Sequence, residues 1–157
     1  MISSKLVLTL LTAISGYTGY AIPGDLPDIA AVPHDVLEQR VCGRPCQVYG
    51  FTFPDGEIVV DEALAIGTDP VATSILVHEL THFLQMKSIA HPGPVTCRIW
   101  NEREREAFEV QTRWLRDASV NVHVFSVEMS RLNLRGMHTM CMDDHSDLAP
   151  QKSWTKG

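Results

Sequence analysis

The chain has little of what marks a specialised class of protein. Its 157 residues include only 4 cysteines, and aromatic side chains make up 7% of the total. Four cysteines are too few for a small fold built on disulfides, and no basic surface for nucleic acid is expected, because 13 Lys and Arg stand against 19 Asp and Glu. With 45% apolar and 20% charged residues, the composition also excludes a disordered acidic tail and a multispanning membrane protein. One globular domain is expected.

The N-terminus is typical of a secretory signal peptide. Lys5 precedes a short apolar run that begins at Leu6, and this run is roughly half of the ~20 residues needed to span a bilayer. Gly19 and Ala21 place small side chains at positions −3 and −1 of a cleavage site. The sequence therefore predicts a leader at 1–21 and a single exported domain at 22–157, periplasmic or secreted, with a loose tail at 151–157. A short N-terminal anchor helix is the alternative.

Export makes disulfides the expected state of the cysteines. We predict a local bridge between Cys42 and Cys46 and a long-range bridge between Cys97 and Cys141. A zinc site that uses Cys42 and Cys46 is a weaker alternative. Zinc sites of this kind usually contain two close cysteine pairs, and the other two cysteines are far apart in the sequence.

Local patterns predict an α+β fold. Residues 47–53 are rich in β-formers, Pro54-Asp55-Gly56 is a turn signal, and 57–61 follows as a second strand, so these residues predict an antiparallel hairpin. Asp69 and Pro70 indicate the start of a largely apolar helix at 70–86. An extended segment is expected at 22–33, and further helices are expected at 35–40, 99–118 and 122–134.

The helix at 70–86 contains the motif H-E-x-x-H, formed by His78, Glu79 and His82. The two histidines are four residues apart and therefore lie about 40° apart on one helix face, where both imidazoles can reach one metal ion. Glu79 can reach a metal-activated water without ligating the metal, which is the arrangement of a zinc site with its own general base. The alternative is a set of solvated surface side chains, but the helix is too apolar for such a face.

A hydrolytic zinc site needs a third protein ligand, and the helix at 99–118 offers four glutamates. Glu104 lies within an apolar stripe that includes Trp100 and Ala107, whereas the other glutamates lie off this stripe among arginines. A carboxylate on a buried face needs a partner, and a metal ion supplies one. Glu104 is therefore the predicted ligand, with Glu106 as the second choice. A salt bridge from Glu104 to an arginine is the alternative reading.

The two motifs together resemble those of the gluzincin type of zinc metallopeptidase. They are H-E-x-x-H and, on the next helix, E-x-x-A at Glu104–Ala107. The second segment is similar to the third-ligand segment of integral-membrane HtpX-like peptidases and ImmA/IrrE-like regulators, although Phe108 stands where those families have aspartate or asparagine. Small exported bacterial zincin domains without an assigned substrate resemble the chain more closely. The resemblance covers about 57–115. It implies a zincin-like fold, His78, His82 and Glu104 as zinc ligands and Glu79 as the base. It also implies that the strand at 58–61 pairs with an extended substrate.

The predicted activity is zinc-dependent hydrolysis of a peptide or protein substrate. Candidates for the second group that stabilises the oxyanion are Tyr49, His123 and His138, and these remain unranked. Gln85 or Gln111 could orient a ligand. Two alternatives remain open: an inactive zincin-fold module that binds metal or partners, and a zinc amidase that acts on cell-wall amides.

The segment from Met137 to His145 is rich in methionine and histidine. In an exported protein such a cluster can bind copper. The alternative is a C-terminal segment packed through its methionines and held by the disulfide of Cys141.

Overall fold

A computed structural model describes residues 2–88 and 95–120 of the chain. These residues form four helices and three strands, which confirms the α+β class. In chain order the elements are α1 (Ser4–Thr18), β1 (Ile29–Val32), α2 (His34–Val41), β2 (Gly50–Thr52), β3 (Ile58–Asp61), α3 (Pro70–Ser88) and α4 (Cys97–Asp117). The helix predicted at 122–134 and the tail at 151–157 lie outside the described residues.

The sheet is mixed, with the strand order β1-β3-β2. The predicted hairpin is confirmed, since β2 and β3 are antiparallel and Phe51 lies opposite Val59. The parallel partner β1 was expected only as an extended lead-in. A proline on each side of this segment, Pro27 and Pro33, indicates extended backbone but does not indicate which strand it pairs with.

One expectation about the sheet is wrong. The strand at 58–61 was expected to offer a free edge to an extended substrate, but β3 is the central strand and is hydrogen-bonded on both sides. All four of its residues are buried. Within the described part of the chain, the free edges belong to β1 and β2, so a substrate strand could be added only there.

α3 carries the H-E-x-x-H motif and is buried on most sides. The predicted start is confirmed: the Asp69 carboxylate accepts a hydrogen bond from the Ala72 N–H at 2.9 Å, and Pro70 is the first helical residue. α4 begins after Thr96, whose hydroxyl accepts from the Ile99 N–H. The two predicted helices are therefore present, and each boundary lies within two residues of its expected place.

The predicted local disulfide between Cys42 and Cys46 is confirmed. It closes the loop after α2, where the Glu38 carboxylate also accepts a hydrogen bond from the Cys46 N–H at 2.8 Å. Cys141 lies outside the described residues, so its bridge to Cys97 stays a prediction. Among the described helices, none combines the length and the hydrophobicity that a bilayer span requires.

The segment predicted as a leader forms α1 and packs into the core. Its buried side chains contact the cluster that also contains residues of β3 and α3; they are Val7, Leu10, Leu11 and Ile14. The Tyr17 hydroxyl donates to the Asp117 carboxylate, and the Arg113 guanidinium lies over the Tyr17 ring. Cleavage after Ala21 stays a prediction. Where the chain retains α1, this helix packs on α3 and α4.

A pair of leucines on α1 tests this packing. Leu11 is 0% exposed and Leu8 is 49% exposed. In the full chain, Leu11→Ala is expected to lower the free energy of unfolding by about 2–5 kcal/mol, because it removes buried methyl groups and leaves a cavity. Leu8→Ala should change it by less than about 0.5 kcal/mol. Urea unfolding of both variants measures the difference, and equal effects would show that α1 is not packed in solution.

Candidate metal centre

The two histidines of α3 direct their rings to one point. The Nε2 atoms of His78 and His82 are 3.1 Å apart, and the ring centroids are 4.8 Å apart. One helical turn separates the residues, as their spacing predicts. His78 is buried, and the side chain of His82 is 16% exposed, so the point between the rings is largely shielded from solvent.

Glu104 of α4 reaches the same point. Its carboxylate oxygens lie 3.4 Å from the Nε2 of His78 and 3.2 Å from the Nε2 of His82. Ala107, one turn further along, is fully buried, and its small side chain is compatible with a close approach of α3 and α4. Glu104 is therefore the glutamate that the structure brings to the histidines, as the buried stripe predicted.

These three side chains are the group within the described residues that could hold a metal ion. Ligand atoms ~2.0–2.1 Å from a tetrahedral zinc ion are about 3.3–3.4 Å from one another. The two histidine Nε2 atoms are 3.1 Å apart, and each lies 3.2 or 3.4 Å from a different oxygen of Glu104, which is close to that spacing. The Oε2 atom of Glu104 is also buried, and its contact with the Nε2 of His78 is long, at 3.4 Å, so a bound metal ion would satisfy this oxygen. The donor set of two imidazoles and one carboxylate fits zinc.

The charges of the site favour an ionised glutamate. Burial raises the pKa of Glu104, but the hydrogen bonds and the charges of the two histidines outweigh this effect and hold the pKa well below its usual range. Burial lowers the pKa of His82, but the hydrogen bond and charge of Glu104 outweigh burial and raise the pKa to about 9. In the absence of metal, the site therefore holds a proton on His82, which a metal ion must displace.

Glu79 lies beside this group and is held by β2. The Thr52 hydroxyl lies 2.8 Å from the Glu79 Oε2 and 2.9 Å from the Glu79 backbone carbonyl. Burial raises the pKa of Glu79, although the two histidines and the Thr52 hydroxyl partly oppose this effect. A buried carboxylate with a raised pKa, next to a possible metal site, has the properties of a general base.

Gly50 gives Glu79 the space it occupies. A Cβ atom at this position would lie 3.0 Å from the Glu79 Cγ and 3.2 Å from a methyl carbon of Ile75. The sequence carried a signal for this contact, because a glycine inside a strand pattern often marks a close approach. Neither this contact nor the hydrogen bond from Thr52 to Glu79 was predicted.

Gln85 orients His82. Its amide nitrogen donates to the Arg103 carbonyl at 3.0 Å and to the Glu106 carboxylate at 2.7 Å. Since both partners accept hydrogen bonds, the amide oxygen must be the atom that faces the His82 Nδ1, 2.9 Å away. His82 therefore carries its proton on Nδ1 and presents Nε2 to the metal position. Of the two glutamines proposed to orient a ligand, Gln85 contacts one, whereas Gln111 donates to the Ser74 hydroxyl.

His78 is held differently. Its Nδ1 is buried and has no hydrogen-bond partner within residues 2–88 and 95–120. The Phe108 ring packs against the His78 ring, with the centroids 4.6 Å apart and the ring planes inclined at 63°. Phe108 occupies the place at which the resembled families have an acidic or amide residue. In this chain an aromatic contact therefore fixes the ring of His78.

The remaining predicted site residues lie elsewhere. Glu106, the second choice as ligand, bonds to Gln85 and to the Tyr20 hydroxyl and is not in the metal group. The Tyr49 ring lies 6.0 Å from the ring of His34 at the start of α2. His123, His138 and the segment from Met137 to His145 lie outside the described residues.

Comparison with known protein families, with curated proteins and with solved structures finds no match. The resemblance to gluzincins therefore depends on the two sequence motifs.

Proposed function

We propose that the protein is a zincin-like peptidase that hydrolyses peptide bonds at a zinc ion held by His78, His82 and Glu104. The observation that carries this proposal is the convergence of the His78, His82 and Glu104 side chains, whose ligand atoms lie within 4.8 Å of one another. A second acidic group, Glu79, is buried beside them and belongs to no ion pair with an arginine or lysine of the described chain. A site that only stores metal does not need this additional carboxylate.

A zinc ion at this site would supply Lewis-acid chemistry, polarising a carbonyl and lowering the pKa of a coordinated water to about 7. Glu79 takes a proton from the attacking water and returns it to the leaving amine. Thr52 holds the Glu79 carboxylate in place through the 2.8 Å hydrogen bond. Burial, which raises the pKa of Glu79, makes this carboxylate a stronger base than an exposed glutamate.

Within residues 2–88 and 95–120, β2 is an edge strand, and this supports an extended peptide as the substrate. Tyr49 and Phe53 direct their backbone groups to β3, where Tyr49 accepts from the Asp61 N–H and Phe53 donates to the Glu57 carbonyl. Backbone direction alternates along a strand, so Gly50 and Thr52 direct their N–H and C=O groups to the other edge. A peptide added at this edge would lie next to Glu79. β2 therefore takes the role that was expected of the strand at 58–61.

Export is part of the same proposal. The Cys42–Cys46 bridge is compatible with an oxidising compartment, where disulfides persist. We place the activity in the periplasm or outside the cell.

The assay that tests the function compares metal-free protein with protein reloaded with one equivalent of zinc. Unfolded casein and a mixed peptide library are incubated with each form, with murein fragments in parallel. Zinc-loaded protein is expected to cleave the peptides, and the metal-free form is expected to be inactive. Bound zinc without any cleavage would favour a binding module, and cleavage of murein fragments alone would favour a cell-wall amidase. Either outcome contradicts the proposal.

A further inference from the structure

A chain of hydrogen bonds runs from the end of the first helix to the metal group. The Tyr20 hydroxyl donates to the Glu106 carboxylate at 2.7 Å, and the same carboxylate oxygen accepts from the Gln85 amide nitrogen at 2.7 Å. The Gln85 amide oxygen accepts from the His82 Nδ1 at 2.9 Å. Gln85 is fully buried, so it has no water to replace these partners.

We propose that Tyr20 is a positioning residue for the metal centre, acting on His82 through Glu106 and Gln85. This inference depends on the proposed role of His82 as a metal ligand. It assigns a function to the N-terminal segment and to Glu106, neither of which belongs to the metal group.

In this series of hydrogen bonds, the donor and acceptor at one contact depend on those at the next contact. An amide can face His82 with its oxygen only if its nitrogen has acceptors on the other side, and Glu106 is one of the two acceptors. Glu106 remains in this position because Tyr20 also donates to it across the interface between the N-terminal segment and α4. Burial, together with the bond to Glu106, raises the pKa of Tyr20 to about 12, so the hydroxyl remains a donor at neutral pH.

Because Tyr20 lies in the N-terminal segment, cleavage of this segment would affect the metal centre. Tyr20 and the whole of α1 precede the predicted cleavage site after Ala21. Processing at that site would separate the hydroxyl from Glu106, and Glu106 would then hold Gln85 without this support. Metal affinity of the protein is therefore expected to depend on whether the segment is retained.

The test uses the full chain and two matched variants, Tyr20→Phe and Tyr17→Phe. Each removes one hydroxyl that bonds to a carboxylate of α4, Glu106 in the first case and Asp117 in the second. Zinc affinity is measured by competition with a chromophoric chelator, and the ligand field of His82 is followed by the visible absorption of the Co²⁺ form. Tyr20→Phe is expected to weaken zinc binding about three- to tenfold and to change the Co²⁺ spectrum, because loss of a direct outer partner costs about 10- to 100-fold. Tyr17→Phe should do neither.

A double-mutant cycle separates positioning from general stability. In the background of Glu106→Ala, Tyr20→Phe is expected to cause no further loss of zinc affinity, because the link it acts through is already missing. If Tyr20→Phe and Tyr17→Phe give the same affinity and the same Co²⁺ spectrum, the inference is wrong, although the metal site stands. If the wild-type chain binds no zinc, the metal site itself is wrong.

Discussion

Glu79→Gln is expected to reduce peptide hydrolysis by about 10²–10⁴-fold, the range that a general base contributes. The substitution keeps the shape of the side chain and an oxygen that can accept the Thr52 hydrogen bond. It removes only the ability to take a proton. Because the three metal ligands remain, zinc affinity should stay within a few-fold of wild type.

Glu109→Gln is the matched control for this variant, since it makes the same chemical change at an exposed position of α4. Initial rates on a fluorogenic peptide and the zinc content of the same samples are the two measurements. Activity of Glu79→Gln within about threefold of Glu109→Gln, with zinc bound in both, would rule out Glu79 as the base.

Glu104→Gln is expected to have the largest effect on metal binding. It removes the negative ligand while leaving two imidazoles, and the loss of zinc affinity should exceed the ~100-fold upper range for outer partners. In the metal-free protein, the Glu104 carboxylate also stabilises the positive charge of protonated His82. The variant should therefore lower the pKa of His82 from about 9.

Glu102 and Glu106 provide controls on the same helix. Glu102→Gln changes an exposed side chain that pairs with Arg98 and should bind zinc as wild type does. Glu106→Gln alters an outer contact and should weaken zinc binding less than Glu104→Gln does. Competition titrations on all three variants measure the order, and a larger loss for Glu106→Gln than for Glu104→Gln would reverse the assignment of the ligand.

The parts of the site that are local in sequence could be predicted. His78 and His82 meet because helix geometry alone fixes their separation. Glu104 could be selected because a charge on an apolar stripe needs a partner, and α4 buries it together with Ala107. These inferences needed no knowledge of how the elements pack.

Contacts between distant parts of the chain could not be predicted. The pairing of β1 with β3 is set by packing. Because this pairing was not predicted, the strand at 58–61 was wrongly expected to have a free edge. The contact of Tyr20 with Glu106 joins residues 86 positions apart, and no local pattern indicates it. The apolar run of α1 predicted a leader, and periodicity gave no sign that it would be buried against α3 in the folded chain.

X-ray absorption at the zinc edge of the zinc-loaded full chain tests the metal centre most directly. The proposed function predicts one zinc ion per chain with nitrogen and oxygen ligands at about 2.0–2.1 Å, including the multiple scattering of two imidazoles, and no sulfur. Sulfur at about 2.3 Å would place the metal at cysteines and contradict the assignment to His78, His82 and Glu104. Failure of the chain to retain zinc would contradict it as well.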